Sequence, residues 1–463
     1  MTTSGSAGRW TPKRPPDARP PPRSSARATT SEPGVLQLRS HRSLPARQSS
    51  RHRRKPPTGA EMNLLIAALS LPMSLSPVAH DPGAGDSLTE ALKAGRTYAN
   101  LRYRIEHVDA DGFAEDADAG TMRAVLGYES GAWKGLSGLV EFETVTPIGL
   151  EDYNSTVNGE TDFPVVVDPE GVEVNQLYVD YALGEGFDLR LGRQELALDN
   201  QRFLGPVAWR QNHQSFDALT LRAPDLGGLD GTYAYIDQVH RIFGDENAVG
   251  DEHMSTHMLN VSRGFEGIGK ATAYAYLLDF DDNVAQSTST YGARFSGKRE
   301  LDTLGLRYTL EYAAQEDAGD NPNEVDADYL LAEVGADFEG VAVTAGAEYL
   351  SGSGDPGDRF QTPLATLHAF NGFADLFLNT PDTGLEDHYL RVSGKLGAVK
   401  AALTYHVFDS DSGGIDYGDE LDLTLGYKVD EQISVGFKFA RFEADEAFAD
   451  VTKGMVWVSV GLL

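Results

Sequence analysis

Charged side chains recur at every second position through much of this sequence, and arginine and glutamate are prominent among them. Arg102, Arg104 and Glu106 alternate with apolar neighbours, and Arg307 and Glu311 do so further along the chain. A guanidinium binds a carboxylate through two parallel, charge-assisted hydrogen bonds, so a row of arginines facing water can recognise an anionic solute. The same arginines can instead pair with glutamates on adjacent strands and stiffen a wall. The sequence leaves both interpretations open.

The candidate functional residues lie on the charged phase of this alternation or in one loop between two strands. If the charged phase faces an enclosed aqueous interior, rings of such side chains set the selectivity of a channel. We predict the following residues to line a pore: Arg102, Arg104, Arg123, Glu141, Glu143, Arg190, Arg193, Arg202, Arg210, Arg307, Glu311, Arg391, Lys400 and Lys438. Three of them, Arg193, Arg202 and Arg210, lie in or beside one loop and are predicted to form a constriction.

The residues expected of an enzyme or a metal site are poorly represented. A hydrolase needs a nucleophile, a base and an orienting group, and His213, His388 and His406 do not belong to a recognisable set of this kind. Cysteine is absent, and residues 409–420 lack the alternating oxygen ligands of a calcium-binding loop. The sequence therefore predicts a protein that is not an enzyme and that has neither a metal site nor a cofactor.

The elements that must position the charged residues are β-strands. Leu304, Leu306 and Tyr308 illustrate the apolar phase, which alternates with polar residues from about residue 98 to residue 463. A period of two indicates strands with one apolar and one wet face. We count about eighteen strands of about nine to eleven residues, the length that a tilted strand needs to cross a bilayer. Such strands form either a soluble sandwich or a membrane barrel with the charges in its lumen.

The lengths of the predicted links between strands favour the barrel. Short links such as 396–399 and 429–433 alternate with long ones such as 146–171, 198–213 and 238–256. Short periplasmic turns and long extracellular loops are typical of outer-membrane barrels, whereas a sandwich has no reason to alternate link length. We therefore predict an all-β fold, a single transmembrane antiparallel β-barrel of about eighteen strands. The longest late link, Gly352–Leu385, could fold into the pore as a plug or cap the barrel outside.

The front of the chain has a composition different from the rest. The whole sequence of 463 residues has a formal net charge of -31, but residues 1–61 are rich in Arg, Pro and Ser. We predict that 1–61 is a non-native or disordered extension upstream of a start at Met62, with a nucleic-acid-binding or targeting tail as the alternative. Residues 62–80 are similar to a secretory signal peptide. Residues 81–97 are then a periplasmic N-terminal segment, and 98–463 form the barrel.

One block of sequence carries a family resemblance. Residues 189–196 read Leu-Arg-Leu-Gly-Arg-Gln-Glu-Leu, Arg-Phe-Leu-Gly follows at 202–205, Trp-Arg at 209–210 and Ser-Phe-Asp-Ala at 215–218. This order resembles the alginate-export family of outer-membrane porins, and weaker similarity extends over 98–463. The resemblance implies an eighteen-stranded monomeric barrel with an electropositive pore that passes a polyuronate. The chain departs from the family in ending on Leu463 rather than an aromatic residue, and in its strongly acidic composition.

The predicted function is passive diffusion or export of anionic solutes, such as alginate-like uronates or small carboxylates, across the outer membrane of a Gram-negative bacterium. The alternatives are a structural or gated barrel without an open pore and an outer-membrane hydrolase. The expected partners are outer-membrane lipid and lipopolysaccharide, together with an anionic small solute or oligosaccharide. No nucleic-acid partner is expected, and the protein is expected to be a monomer.

Overall fold

The computed structural model describes residues 87–184 and 186–462. The predicted extension (1–61), the predicted signal peptide (62–80) and residues 81–86 of the predicted periplasmic segment lie outside these residues. A short helix, α1 (Leu88–Ala94), comes first, and the Ser87 hydroxyl caps it by accepting a hydrogen bond from the Glu90 amide. No helix within the two described ranges is long and apolar enough to cross a membrane. The first strand begins at Arg96, two residues before the predicted start of the barrel.

Eighteen strands follow α1 in the described part of the chain. The first nine are β1 (Arg96–Ala110), β2 (Ala117–Glu129), β3 (Leu136–Asp152), β4 (Gly171–Gly184), β5 (Phe187–Gln194), β6 (Ser215–Ala223), β7 (Asp230–His240), β8 (Asp251–Phe265) and β9 (Gly269–Leu278). The second nine are β10 (Thr288–Leu301), β11 (Leu304–Asp317), β12 (Asp326–Phe338), β13 (Val341–Leu350), β14 (Leu385–Leu396), β15 (Val399–Asp409), β16 (Asp416–Lys428), β17 (Ile433–Ala444) and β18 (Val451–Gly461). Two 3-10 turns, Val284–Gln286 and Leu367–Ala369, lie in loops.

The strands form one closed antiparallel barrel. Each strand pairs with its neighbours in sequence, and β1 closes the ring because it pairs with both β2 and β18. Leu101, for example, lies between Ala124 of β2 and Val460 of β18. Closure leaves no sheet edge with unpaired backbone groups, which is the condition for a sheet to span a bilayer. The predicted fold, an antiparallel barrel of about eighteen strands, is confirmed.

The outer face of the barrel is an apolar belt with aromatic borders. Leucines and valines on the outward phase are exposed because no protein covers them, and Leu310 and Val334 are more than half exposed. Tyr312 on β11 lies at the extracellular side of this belt, and Phe338 at the end of β12 lies at its periplasmic side. Aromatic girdles at both membrane–water interfaces are a general property of outer-membrane barrels.

The link lengths follow the predicted asymmetry, but several predicted bounds were wrong. Turns of two residues join β10 to β11, β12 to β13 and β14 to β15, whereas residues 153–170, 195–214 and 351–384 form the longest loops. The strands have 8 to 17 residues rather than nine to eleven. Strand β3 continues to Asp152 and β8 begins at Asp251, so the predicted links 146–171 and 238–256 were too long. The strands continue to pair on the extracellular side of the lipid belt. There the outward residues are no longer apolar, so the alternation in the sequence does not reveal these parts of the strands.

The outward register predicts how the barrel responds to a charge on its lipid face. We expect Leu310→Arg to destabilise the barrel by about 2–4 kcal/mol near the bilayer midplane, because the guanidinium would enter hydrocarbon. Thr309→Arg is the matched control, since Thr309 faces the lumen directly opposite Glu333. Urea unfolding of the barrel refolded in lipid vesicles measures both. Equal losses for the two variants would contradict this register.

Candidate channel lumen

Two loops leave the wall and fold into the barrel. The first inward loop (195–214) joins β5 to β6, and the second inward loop (351–384) joins β13 to β14. They pair with each other: the Gly205 amide donates to the Leu364 carbonyl at 3.0 Å, and the Thr366 amide donates to the Gln201 carbonyl at 3.0 Å. A Cβ at position 205 would overlap the Thr366 hydroxyl, so only glycine fits this approach. The link around Gly352–Leu385 therefore fills part of the lumen instead of capping the barrel outside.

Aromatic packing holds both inward loops against the wall. Phe203 of the first inward loop lies 5.1 Å from the Tyr274 ring on β9 and 5.6 Å from the Tyr329 ring on β12, centroid to centroid. Phe360 of the second inward loop stacks on Tyr329 at 5.4 Å. All four side chains are buried, and aromatic pairs at these distances add to the free energy gained from burial alone. The interior thus contains a hydrophobic core of its own.

The arginines of β1 and β2 face the lumen and bind the first inward loop. Arg102 donates from Nε to the Gln211 side chain at 2.8 Å and from Nη1 to the Ala208 carbonyl at 3.1 Å. Arg104 donates to the Trp209 carbonyl at 2.7 Å and forms an ion pair with Asp168. Arg123 contacts His213 and lies 3.6 Å from Glu143. These predicted pore residues are buried under the loop they anchor.

The two predicted glutamates of β3 also bind neighbours. Glu141 accepts hydrogen bonds from the Tyr98 hydroxyl at 2.5 Å and the Asn175 amide at 2.6 Å. Glu143 accepts the backbone N–H of His213 at 2.9 Å. Both carboxylates are buried, and they bind residues of the wall and of the first inward loop instead of facing open solvent.

Arg202 and Arg210 connect the first inward loop to the opposite wall and to the second inward loop. Arg202 lies 3.0 Å from the Glu348 carboxylate on β13 and donates to the Asn371 side chain at 3.1 Å. Arg210 donates to Glu106 on β1 at 3.2 Å and to Asp375 at 3.1 Å. The prediction placed both arginines at a constriction, and the structure places both inside the barrel as crosslinks between loops and wall.

Asp375 is the centre of the ion network in the second inward loop. Its carboxylate accepts from His368 Nδ1 at 2.6 Å, from Arg210 at 3.1 Å and from the Lys453 ammonium of β18 at 2.9 Å. Burial opposes ionisation, but the contacts with His368 and Lys453 hold the pKa of Asp375 well below its usual range. One carboxylate therefore joins the second inward loop, the first inward loop and the wall.

Lys438 on β17 is enclosed by aromatic side chains of the two inward loops, an arrangement that we call the lysine cage. Its side chain is 1% exposed, and its ammonium lies 4.1 Å from the Trp209 ring centre and 3.8 Å from the Phe373 ring centre. The ammonium also lies 2.9 Å from His368 Nε2, and the His368 ring stacks on Trp209 at 4.6 Å. Aromatic faces stabilise a desolvated cation, so Lys438 also functions as a docking point for the loop.

Three further predicted residues are paired with wall residues. Arg190 on β5 binds Asp180 through two hydrogen bonds of 2.7 and 2.9 Å, and Arg307 on β11 lies 2.9 Å from Asp337. Glu311 pairs with Arg294 on the adjacent strand. These cross-strand pairs match the interpretation of a stiffened wall.

Arg193 differs from its prediction as a constriction residue. It lies on the same face of β5 as Leu189 and Leu191, and Leu191 is on the exposed outer surface. Its guanidinium forms two hydrogen bonds, of 2.9 and 3.1 Å, with Asp217, which is directly opposite on β6. Arg193 therefore belongs to the outer face of the barrel, because the strand residue next to the lumen-facing Gln194 must point outward.

Arg391 and Lys400 face the lumen in a different environment. Arg391 Nε donates to the Thr404 hydroxyl at 3.1 Å, and its guanidinium lies 5.8 Å from the Tyr389 ring centre. Lys400 continues the inward phase of Thr404 towards the periplasmic end of β15. Among residues 87–184 and 186–462, no carboxylate lies within ion-pair distance of either cation. Their positive charges are consequently not cancelled by a direct partner.

Several residues that organise the lumen were missed by the sequence analysis. Asp168, His368, Asp375 and Lys453 lie in or opposite loops, and loop conformation has no periodic signal that could reveal them. Lys453 could have been found, because it continues the inward phase of β18.

The network around Asp375 predicts a large effect of a single substitution. We expect Asp375→Asn to destabilise the barrel by about 3–5 kcal/mol, because Lys453 and His368 lose their buried anionic partner. Asp382→Asn is a matched control in the same loop: its ion pair with Arg359 is partly exposed, and such pairs contribute about 0–1 kcal/mol. Chemical unfolding in vesicles measures both variants, and equal effects would contradict the central role of Asp375.

The burial of His368 predicts that docking of the second inward loop weakens at acid pH. Burial lowers the pKa of His368 to about 3, although Asp375 opposes this effect and Lys438 adds to it. A released loop would carry a histidine with an ordinary pKa of about 6.5. Release therefore takes up a proton, so docking is strongest above that value and weakens as pH falls from about 6.5 towards 3.

Current recordings between pH 7 and pH 4.5 test this dependence. We expect larger conductance fluctuations at the lower pH in the unmodified protein. We expect a smaller increase in these fluctuations in His368→Gln, because glutamine does not take up a proton when the loop is released. An unchanged pH response in His368→Gln would show that other groups control the loop.

Comparison with known proteins agrees with the geometry. The sequence profile of the family described as alginate export matches residues 100–410. No protein of curated function matches the chain.

Solved structures with the same fold are outer-membrane barrels. Pseudomonas aeruginosa OpdO has a TM-score of 0.63 at 16% identity, with 80% of this chain and 98% of that chain covered. Acinetobacter baumannii OccAB4 has a TM-score of 0.61 at 14% identity, with 80% and 98% covered. Pseudomonas aeruginosa OpdK, solved with vanillate, has a TM-score of 0.62 at 15% identity, with 79% and 98% covered.

The likeness to these structures shows that the chain has the same overall fold, which here is a closed eighteen-stranded barrel. The family profile covers about two thirds of the sequence, including the arginines of β1 and β2 and both inward loops. The chain therefore belongs to the alginate export family, and its barrel lies in the outer membrane.

Proposed function

We propose that this protein is a channel through which small anionic solutes, carboxylates above all, cross the outer membrane. The observation that carries the proposal is the contrast among the lumen cations. Most predicted pore arginines have a carboxylate partner, whereas Arg391 and Lys400 face the lumen without one in the described part of the chain. A cation without a direct counter-ion on a low-dielectric wall attracts anions more strongly than a neutralised pair does. Membership of the alginate export family and the likeness to OpdK, which was solved with a carboxylate, support the same direction.

A channel is a better interpretation of the lumen than an enzyme. His213, His368 and His406 each lie beside a carboxylate, at 2.7, 2.6 and 2.8 Å, but all three are buried and link loop or wall residues. A hydrolase would need its base beside a nucleophile that a substrate can reach. We further propose that the protein is a monomer whose outer belt contacts lipid and whose loops contact lipopolysaccharide.

Gating is the second candidate property, and the buried network favours it. The side chains of Glu106, Asp375 and Lys438 are almost completely inaccessible to solvent because the two inward loops cover them. We propose that conduction depends on how these loops are held. Release of the second inward loop would uncover the caged Lys438.

Solute entry into proteoliposomes tests the proposed function. We expect glucuronate to enter faster than glucose, which has nearly the same size and no charge, because the lumen cations attract the carboxylate. We expect Arg391→Gln to reduce this preference by up to about fivefold, as the loss of one charge that contributes up to roughly 1 kcal/mol implies. Swelling rates provide the measurement.

Arg441→Gln is the control for Arg391→Gln, because Arg441 lies on the outer face near the extracellular rim and pairs with the exposed Glu443. Equal swelling rates for glucuronate and glucose, in liposomes that contain folded barrel, would contradict an anion channel.

A further inference from the structure

Three lysines face the lumen near the periplasmic end of adjacent strands. Lys395 continues the inward phase of Arg391 on β14, and Lys400 lies directly opposite it on β15. Lys428 continues the inward phase of β16, two residues after Gly426, which lies opposite Lys400. We call Lys395, Lys400 and Lys428 the lysine triad. The short turn of residues 397–398 joins the first two strands, and short turns lie on the periplasmic side of outer-membrane barrels.

The lysine triad is unusual because like charges face each other. Two cations directly opposite on neighbouring strands repel and destabilise the pair. Within residues 87–184 and 186–462, none of the three ammonium groups lies within ion-pair distance of a carboxylate, whereas arginines elsewhere on the wall have such partners. Lys395 and Lys428 are exposed to solvent. A cluster with this repulsion and this access is suited to receive an anion from the solution.

The spacing of the lysine triad indicates the class of anion. Adjacent strands lie about 4.8 Å apart, so three strands present their charges over about 10 Å. A solute with several carboxylates on a short chain can contact all three ammonium groups, whereas a monocarboxylate can neutralise one. The site therefore favours multivalent carboxylates over single ones.

The charges at the opposite end of the barrel indicate the side from which the anion arrives. The extracellular loops 111–116, 279–287, 318–325, 410–415 and 445–450 each contain Asp or Glu, and these five loops contain neither Lys nor Arg. The periplasmic turns also contain carboxylates, and Asp430 and Glu431 are the nearest in sequence to Lys428. The periplasmic end nevertheless presents the lysine triad, whereas these five extracellular loops present no cation to an approaching anion.

We propose that Lys395, Lys400 and Lys428 form a docking site for multivalent carboxylates at the periplasmic mouth of the barrel. The inference deepens the proposed function, since it rests on the lumen being an anion pathway. Docking would hold the solute below Arg391, the next cation along β14 towards the inward loops.

Sided block of single channels tests the docking site. The probe is tricarballylate, a tricarboxylate, with acetate as the monovalent comparison. The chain has no native cysteine, so Glu115→Cys in an extracellular loop marks the orientation of each channel through a membrane-impermeant thiol reagent. We expect tricarballylate in the periplasmic chamber to block at a lower concentration than in the extracellular chamber, and we expect acetate to block weakly from both.

The variant Lys395→Gln with Lys428→Gln removes two charges of the triad and leaves Lys400. We expect it to raise the half-blocking concentration of tricarballylate by about tenfold, since two of the three cations that would contact the tricarboxylate are lost. The matched control is Lys93→Gln with Lys134→Gln, which removes two charges from α1 and the β2–β3 turn at the same end of the barrel. We expect the control to block as the unmodified protein does.

The outcomes separate the docking site from the proposed function. Equal block in the two double variants, or block from the extracellular chamber alone, would overturn the docking site and leave the channel intact. If the folded barrel does not conduct, the proposed function fails, and calorimetric titration of tricarballylate into the detergent-solubilised protein decides the docking site. Binding that is lost in the Lys395 and Lys428 variant would support it, and absence of binding would overturn it.

Discussion

The lumen of this barrel depends on the pairing of charge inside a closed wall. Strand alternation brings Arg102, Arg104 and Glu106 into the interior, because their apolar neighbours must face lipid. A buried charge without a partner costs several kcal/mol, so each of these groups needs a counter-ion or hydrogen-bond partner. The first inward loop supplies Arg210 for Glu106 and the backbone carbonyls of 208–210 for the two arginines, and Asp168 in the loop 153–170 pairs with Arg104. The inward loops therefore provide the partners that the buried wall charges need, and they also cover these charges from solvent.

The pairing also determines which lumen cations have no carboxylate partner and can attract an anionic solute. An arginine that is bonded to a carboxylate on the next strand contributes a dipole, whose field falls off faster than that of a free charge. The sector formed by β14, β15 and β16 is different, because Arg391 and the lysine triad have no carboxylate at contact distance among the described residues. The lumen cations without a carboxylate at contact distance on β14, β15 and β16 thus lie together on one side of the barrel. Elsewhere on the wall, on β5 and β11, Arg190 and Arg307 bind Asp180 and Asp337 and provide rigidity.

The barrel could be predicted from the sequence because its signal is periodic. A period of two and the alternation of link lengths gave the strand number, the antiparallel order and the lumen-facing phase of Arg102, Arg307 and Arg391. The site was predicted less well, because the partners of these residues lie in loops without periodicity. Asp375 and His368 could not be assigned, and Arg193 was placed on the wrong face because a loop-like motif was given more weight than its parity with Leu191. Lys395 and Lys428 could have been predicted to face the lumen, because they continue the inward alternation of their strands.

The measurement that tests the central claim most directly is the reversal potential of the protein, purified from an outer membrane and inserted in a planar bilayer, under a gradient of potassium chloride. We expect a conducting pore whose reversal potential has the sign of chloride selectivity and moves towards zero at high ionic strength, where the lumen cations are screened. A conducting pore with cation selectivity would contradict the role assigned to Arg391 and the lysine triad. A folded barrel without conductance would contradict the channel itself.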